Sequence, residues 1–400
     1  MTSRWLSLPL IALAASACSY QKNTQPANVA PAAAQPSAAA LPPVVVEPSP
    51  FMGAELFRDP AYVAKVEAAA KADKANADLI RKVANYPTAI WLDSIASVSR
   101  IGKLLDAAEK QNSNDKPVLV TFVIYDLPNR DCSAKASAGE LDAEKGGAEK
   151  YKTDFIDKIA EKFALHPKLR IVAIVEPDSL GNLATNMNVP KCAASDQVYR
   201  SSIAYAIQKL HMPQVSTYLD AAHAGWLGWE ANRPRIAKIF KDVLTQAGDT
   251  GMIRGFATNV SNYNTVAGSD GKKLGPANPC SDESTYVTKL TNALEIEGIR
   301  GKRFVIDTSR NGKVVRATWG SWCNVKGAGI GPRPQASPLP LVDAYFWVKP
   351  PGESDGTSDP KATRFDANCA SPDSMPNAPE AGQWFSAHFL EMAKNADPAL

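Results

Sequence analysis

Seven short runs of apolar, often β-branched residues punctuate the chain: Ala89–Leu92, Val118–Ile124, Arg170–Val175, Val215–Leu219, Gly255–Thr258, Phe304–Ile306 and Ala344–Val348. Between them apolar positions return every three or four residues. That spacing predicts helices over Tyr151–Leu165, Gln197–Lys209, Ile236–Gln246 and Tyr286–Ile296. Continuous apolar strands alternating with amphipathic helices imply a parallel sheet covered by helices. About seven such units over roughly 350 residues predict an α/β fold, a parallel β/α barrel with one strand fewer than the usual eight. A doubly wound open sheet satisfies the same pattern. No internal repeat is visible.

The residues that follow the strands carry more information than the strands. Val120–Tyr125 leads to Asp126 and then Arg130-Asp131-Cys132, and Ile171–Val175 leads to Glu176-Pro177-Asp178. Ser216–Leu219 leads to Asp220, His223, Trp226 and Trp229, Gly255–Thr258 to Asn259, and Phe304–Ile306 to Asp307 and Arg310. Tyr345–Val348 leads to Lys349, Glu353 and Asp355. In a parallel barrel the C-terminal strand ends converge on one mouth, where active sites sit. One polar residue after one strand is only a loop. Carboxylates, tryptophans and a lysine after nearly every strand describe a cleft for a polyhydroxylated ligand. Asp131, Asp178, Asp220 and Asp355 would crowd there, each raising the others' pKa and keeping one carboxyl protonated near neutral pH. A protonated acid facing a second carboxylate is what glycoside hydrolysis needs. Trp91, Trp226, Trp229, Trp322 and Trp347 lie in or beside these loops, where an indole face would stack on a sugar ring. Taken singly, each reads first as core packing. Trp226 and Trp229, three apart and among glycines, look least like core.

Charge and composition narrow the alternatives. A net charge of +3 with no long basic run leaves no footprint for nucleic acid. There is no GxSxG elbow and no GxxxxGK[ST] loop, and Gly327-Ala328-Gly329-Ile330-Gly331 lacks the strand–turn–helix context of a dinucleotide site. With four histidines and no cysteine–histidine ligand spacing, neither a structural zinc nor any other cofactor is expected.

The N-terminus predicts export. Arg4 supplies a positive charge, Leu6–Ala15 an apolar stretch too short to span a bilayer, and Ala15-Ser16-Ala17 the small residues of a cleavage site. Cleavage would leave a mature chain from residue 18, and Cys18 at that position offers lipid anchoring to a membrane as the alternative to free secretion. Residues 18–50, rich in Ala and Pro, predict an extended spacer, and a single domain is expected over 51–400. Beside Cys18, the chain has Cys132, Cys192, Cys280, Cys323 and Cys369, so at least one is left unpaired.

Six longer stretches stand out: Val123-Ile-Tyr-Asp-Leu-Pro-Asn-Arg-Asp-Cys132, Ile174-Val-Glu-Pro-Asp-Ser-Leu180, Tyr218-Leu-Asp-Ala-Ala-His-Ala-Gly-Trp-Leu-Gly-Trp229, Ala257-Thr-Asn-Val-Ser-Asn-Tyr263, Trp322-Cys-Asn324 and Trp347-Val-Lys-Pro-Pro-Gly-Glu-Ser-Asp-Gly356. Together, and in this order, they resemble glycoside hydrolase family 6. The resemblance implies a distorted barrel of about seven parallel strands, with a cleft or tunnel at the C-terminal strand ends. It implies inverting hydrolysis of β-1,4-glucosidic bonds in cellulose or soluble β-1,4-glucan by a monomer. Asp178 matches the general acid, and Asp131 the carboxylate that raises its pKa. Tyr125 matches the tyrosine beneath the distorted sugar, and Ser137 a serine that helps hold the water. Asp355 matches the disputed base, a water chain ending near Asp131 and Ser137 being the competing proposal. Asp220 matches the aspartate that supports acid and substrate. With Trp91, the residues His223, Trp226, Trp229, Asn259, Trp322, Lys349 and Glu353 make up the implied sugar contacts. The implied disulfides are Cys132–Cys192 and Cys323–Cys369, with Cys280 unmatched. Full-length segments Asp131–Tyr151 and Lys349–Trp384 favour a roofed tunnel and release of cellobiose from non-reducing ends, over endoglucanase action in an open cleft. Two local departures are Asn129, where Asp is common, and Ser354, where some relatives have Cys. A non-catalytic glucan-binding protein would have lost the acid or its partner. A hydrolase of another polymer, such as xylan, would not be distinguished by the tryptophans.

Overall fold

A computed structural model describes residues 46–111, 116–268, 278–313 and 320–400. The segment read as a signal peptide, Cys18 and most of the 18–50 spacer lie outside the described residues. Two residues of the part read as spacer bond to the barrel strands and their ends: the Glu47 carbonyl accepts from Arg254 and the Ser49 hydroxyl donates to the Asp343 carbonyl.

Among the described residues nine strands form one sheet: β1 (Glu55–Leu56), β2 (Ile90–Leu92), β3 (Val118–Ile124), β4 (Arg170–Val175), β5 (Val215–Asp220), β6 (Gly255–Thr258), β7 (Arg303–Asp307), β8 (Gln335–Ala336) and β9 (Val342–Phe346). Strands β3, β4, β5, β6, β7 and β9 lie side by side in that order, all parallel. β1 and β2 share one edge of β3, β1 pairing with Val118–Leu119 and β2 with Phe122–Ile124. The sheet then curls until its edges meet. Thr88 and Trp347 form one parallel bridge, and the Ala89 amide donates to the Trp347 carbonyl at 3.0 Å. The result is the distorted barrel of seven parallel strands, β2 to β7 and β9, with a seam one bridge wide. The open-sheet alternative is excluded by that seam.

The apolar runs lack alternation because both faces of each strand are buried. In β3, Leu119 and Val123 point into a core inside the barrel with Val172, Ile174, Ala257 and Phe346. Val118, Val120, Phe122 and Ile124 face the outer layer, where they meet helix residues such as Leu105, Ile159, Phe163 and Ile203. Helices Pro190–Leu210, Asn232–Ala247 and Glu283–Ile296 enclose the predicted ones. Tyr151–Leu165 is helical but opens as a π-turn, Tyr151–Ile156, before Asp157–Ala164. The predicted last strand is displaced, ending at Phe346 and not at Val348. Beyond Phe346 the backbone leaves the ladder: the amides of Val348 and Lys349 turn to the buried Asp307 carboxylate (3.2 and 3.0 Å).

Asp307 also accepts from the amides of Ser261 (3.0 Å) and Ser309 (2.9 Å), so one carboxylate ties the ends of β6, β7 and β9 together. Asp307→Ala leaves four amide donors without that acceptor. Each stranded buried donor costs about 1–3 kcal/mol, so with partial relaxation the variant should lose about 3–5 kcal/mol of unfolding free energy in urea. A loss under about 1 kcal/mol would show that water replaces the carboxylate there.

Candidate functional site

A cavity of about 820 Å³ opens at the C-terminal strand ends. Its walls include Trp91 from β2, Tyr125 and Asp131 after β3, Asp178 after β4, His223 and Trp226 after β5, and Lys349, Glu353 and Asp355 after β9. Ser137 and Trp322 also line it. Four candidates do not. Trp347 is fully buried in a core cluster with Tyr263, Val325 and Phe389, its indole N–H on the Pro332 carbonyl. Asp220 lies beneath Asp178. Trp229 is half-buried, its indole N–H on the Gly225 carbonyl. Asn259 is fully buried, its amide nitrogen donating to the carbonyls of Asn264 and Asp307 and its oxygen accepting the Asn264 amide. Asn259 therefore holds loop backbone and presents no free polar atom to a ligand.

Asp178 sits where β4 breaks into the short helix Ser179–Thr185, with φ at 66°. Its own amide donates to Asp220 Oδ2 (3.0 Å), as does that of Ala222 (2.9 Å), while Asp220 Oδ1 is buried with no hydrogen-bond partner. Burial first, then the charges of Asp220, Asp131 and Asp355, push the Asp178 carboxyl well above the usual carboxylate range. Asp131 is thus one of three carboxylates acting on Asp178, and Asp220 acts more strongly. Burial raises Asp220 itself to about 7, against its two amide donors.

Asp131, at φ 57°, is aimed by two donors: the Tyr125 hydroxyl (3.1 Å on Oδ1) and the Ser137 amide (2.8 Å on Oδ2). The Arg130 guanidinium stacks on the Tyr125 ring at 4.2 Å and donates to the carbonyls of Ser137, Asp93 and Tyr125. Trp91 meets Tyr125 edge-on, at 5.2 Å and 88°.

Asp355 is held differently. Arg310 Nη1 donates to both its oxygens (2.8 and 2.7 Å), and the Asn324 amide (2.8 Å) and Tyr263 hydroxyl (3.2 Å) complete the set. Burial works against its charge, but Arg310 and Lys349 outweigh burial and hold the carboxyl below its ordinary value. Asp355 is therefore a fixed anion. Arg310 follows a strand in the sequence, yet nothing in its spacing announces this partner. Lys65 is another residue the sequence reading passed over: from helix Pro60–Ala72 it lines the cavity and pairs with Glu353 at 2.8 Å. Lys349 lies 5.2 Å over the Trp91 ring.

Two loops that both line the cavity touch each other. The Lys135 amide donates to Asp366 Oδ2 (3.0 Å), and Ala136 packs with Trp322, Cys323 and Cys369. Gly356 is needed at this contact, because a Cβ there would lie 2.6 Å from the Ala136 methyl and 2.8 Å from Cys369 Sγ. The disulfides are Cys132–Cys192 and Cys323–Cys369, the implied pairs, and each staples one of these loops. Cys280 is a buried free thiol, pushed up to about 11, chiefly by burial. Among the described residues no cluster of His, Cys, Asp and Glu could hold a metal.

The model of glycosyl hydrolases family 6 matches residues 51–396. The chain is 43% identical over 357 residues to exoglucanase 3 of Agaricus bisporus, covering 88% of this chain and 80% of the relative. It is 41% identical to a putative endoglucanase type B of Fusarium oxysporum, covering 88% and 77%. Among solved structures, cellobiohydrolase II of Humicola insolens in complex with glucose and cellotetraose superposes with a TM-score of 0.84 at 39% identity, covering 88% of this chain and all of that one (100%).

The buried carboxyls give stability a definite pH slope. Burial is the leading cause that raises Asp126 to about 8, Glu176 and Asp220 to about 7 and Glu283 to about 8. The unfolded chain loses these protons near pH 4, so between there and pH 8 the folded state holds more protons. Their contribution is whole below pH 4 and is lost as pH rises through 7 and 8. Asp355 has the opposite sign and acts only in the acid range. Melting temperature should therefore fall from pH 5 to pH 8 in scanning calorimetry; a flat or rising trend contradicts proton retention by these groups.

Proposed function

The chain belongs to glycosyl hydrolases family 6, and from that premise we propose that it hydrolyses β-1,4-glucosidic bonds of cellulose with inversion, as an exo-acting cellobiohydrolase that releases cellobiose from non-reducing ends. Asp178 is the acid. Burial and three neighbouring carboxylates push its carboxyl well above the usual carboxylate range, which favours the protonated form that can give its proton to the leaving oxygen as the bond breaks. Water then attacks from the opposite face. Asp355 is a poor acceptor for that water's proton, because Arg310 occupies both its oxygens and holds its pKa down. We assign Asp355 to stabilising positive charge on the sugar, and the proton route to the side of Asp131 and Ser137. Tyr125 lies under the sugar at the cleavage point. Trp91, Trp226 and Trp322 offer aromatic faces along the cavity, and Lys349 and Glu353 offer polar contacts at its Trp91 end. Asp220 orients Asp178. Asn259 supports the loop, and Trp229 stands outside the cavity wall.

One observation carries exo action: the loops Asp131–Tyr151 and Lys349–Trp384 touch each other through Lys135 and Asp366 and through Ala136, Gly356 and Cys369. A roofed cavity admits a chain end more readily than the middle of a polymer. We take residues 51–400 as the catalytic domain. The export signal in residues 1–17 supports an extracellular enzyme, and mass spectrometry of the mature N-terminus separates free cleavage from a lipid on Cys18.

Asp178→Ala should lower release of soluble sugar from cellulose by about 10²–10⁴-fold; equal release by both proteins would sink the acid assignment. Cellobiose should dominate the early products and the first anomer seen by proton NMR should be α; early cellotriose and cellotetraose would refute exo action, and a β-anomer would refute inversion. Asp366→Ala, which frees the Lys135 amide, should raise the ratio of viscosity loss to reducing ends on carboxymethylcellulose. An unchanged ratio would mean that this contact does not hold the roof.

A further inference from the structure

Asp131 sits in a segment that is braced from outside its own loop as well as from within it. Asn129 and Asp131 both have positive φ (61° and 57°), a region that disfavours side-chain-bearing residues. No strand or helix contains them. The Asn129 amide donates to the Leu141 carbonyl and its Oδ1 accepts from the Ala143 amide, and one face of the outer helix Pro190–Leu210 braces the segment as well. Lys191 Nζ donates to the carbonyls of Arg130 (3.0 Å) and Asp131 (3.1 Å). Cys192 is bonded to Cys132. Ser195 Oγ accepts from Asn129 Nδ2 at 3.2 Å, and the Tyr199 hydroxyl donates to the Asn129 carbonyl at 2.8 Å. Positions 191, 192, 195 and 199 fall on one helical stripe, and all four act on the four residues from Asn129 to Cys132.

Carbonyls in a left-handed turn cannot join the ladder of β3, so they need donors from elsewhere. An ammonium that bridges two successive carbonyls fixes the peptide plane between them. That plane sets where the Asp131 side chain leaves the backbone, before Tyr125 and Ser137 aim its carboxylate. We infer that Lys191 is a positioning residue for the reaction, acting through Asp131, and that Tyr199 secures the same segment one step upstream. The inference rests on the proposed catalytic role of Asp131 and adds a residue to it.

The test compares Lys191→Met, Lys191→Arg, Tyr199→Phe and Asp131→Asn with the wild type, in the full chain with its disulfides formed. Substrates are cellotetraose and β-cellobiosyl fluoride. Fluoride leaves without needing a proton from Asp178, whereas attack by water still needs Asp131. Lys191→Met should lower kcat by about 10- to 100-fold, the range for a displaced catalytic group, with KM within about twofold. The same factor should appear on both substrates, and Lys191→Arg should recover most of it. Tyr199→Phe should lose kcat in the same pattern by a smaller factor, which keeps the test open if Lys191→Met folds poorly. An unchanged kcat in Lys191→Met and Tyr199→Phe, with Asp131→Asn inactive, overturns the inference and leaves the role of Asp131 standing. A defect on cellotetraose that vanishes on the fluoride also overturns it, since Lys191 would then act through Asp178. Full activity of Asp131→Asn refutes the underlying reading instead.

Discussion

The constraint on which the site depends is the burial of many carboxylates at one end of a barrel. A carboxylate out of water either gives up its charge or finds enough donors to keep it. The mouth uses both solutions, and the partner decides which. Asp307 gathers four backbone amides and becomes a structural clamp. Asp355 gathers a guanidinium and stays charged. Asp178 has neither among the described residues, and burial and neighbouring carboxylates push it well above the usual carboxylate range. Asp126 is the extreme case: both its oxygens are buried without a hydrogen-bond partner, Arg130 stands off at 3.6 Å, and burial raises it to about 8. One residue type thus supplies clamp, anion and acid within a single layer.

The barrel's geometry explains why loops do so much of the holding. With a seam of one bridge between the β2 and β9 segments, the sheet fixes the C-terminal ends of β2 and β9 only weakly. The Trp91 indole N–H on the Val348 carbonyl (2.8 Å) and Asp307 on the Val348 and Lys349 amides complete that junction with side chains. Positive φ values recur at the same rim, at Glu176, Ala222, Asn259 and Ser261 as well as at Asp131 and Asp178. Such backbone persists only where surrounding contacts over-determine it. Two disulfides, Asn259 and the stripe on helix Pro190–Leu210 supply those contacts.

How far the sequence revealed this follows from the same physics. Strands such as β3 and β4 were legible to the residue because burial on both faces leaves an uninterrupted apolar run. The two-residue strands β1 and β8 have no period to detect, and β9 was misplaced because Trp347 and Val348 are as apolar as ladder residues while bonding elsewhere. The loop carboxylates were legible as a group, since position after a strand is a one-dimensional property. Their separate fates were not. Nothing near Asp355 in the chain foretells Arg310, 45 residues earlier, and nothing near Glu353 foretells Lys65, 288 residues earlier. Asn259 illustrates the converse: its motif suggested a ligand contact, while the fold uses every polar atom of its side chain on backbone.

The contrast between Asp178 and Asp355 bears directly on inversion. A single-displacement reaction needs a proton delivered on one face of the sugar and a nucleophile deprotonated on the other, so the two sides of the cavity must differ in proton affinity. Here the difference is built by partners. Burial and other carboxylates raise the Asp178 carboxyl, whereas Arg310 and Lys349 lower that of Asp355. A carboxylate held as tightly as Asp355 would have to lose its guanidinium contacts to accept a proton, and that loss would fall in the same step as bond cleavage. Asp131 carries no such burden, being held by one hydroxyl and one amide. The proposed proton route toward Asp131 and Ser137 therefore asks less rearrangement of a rigid, disulfide-stapled rim than a route through Asp355 would, and rigid preorganisation of charge is where such a site gains its rate.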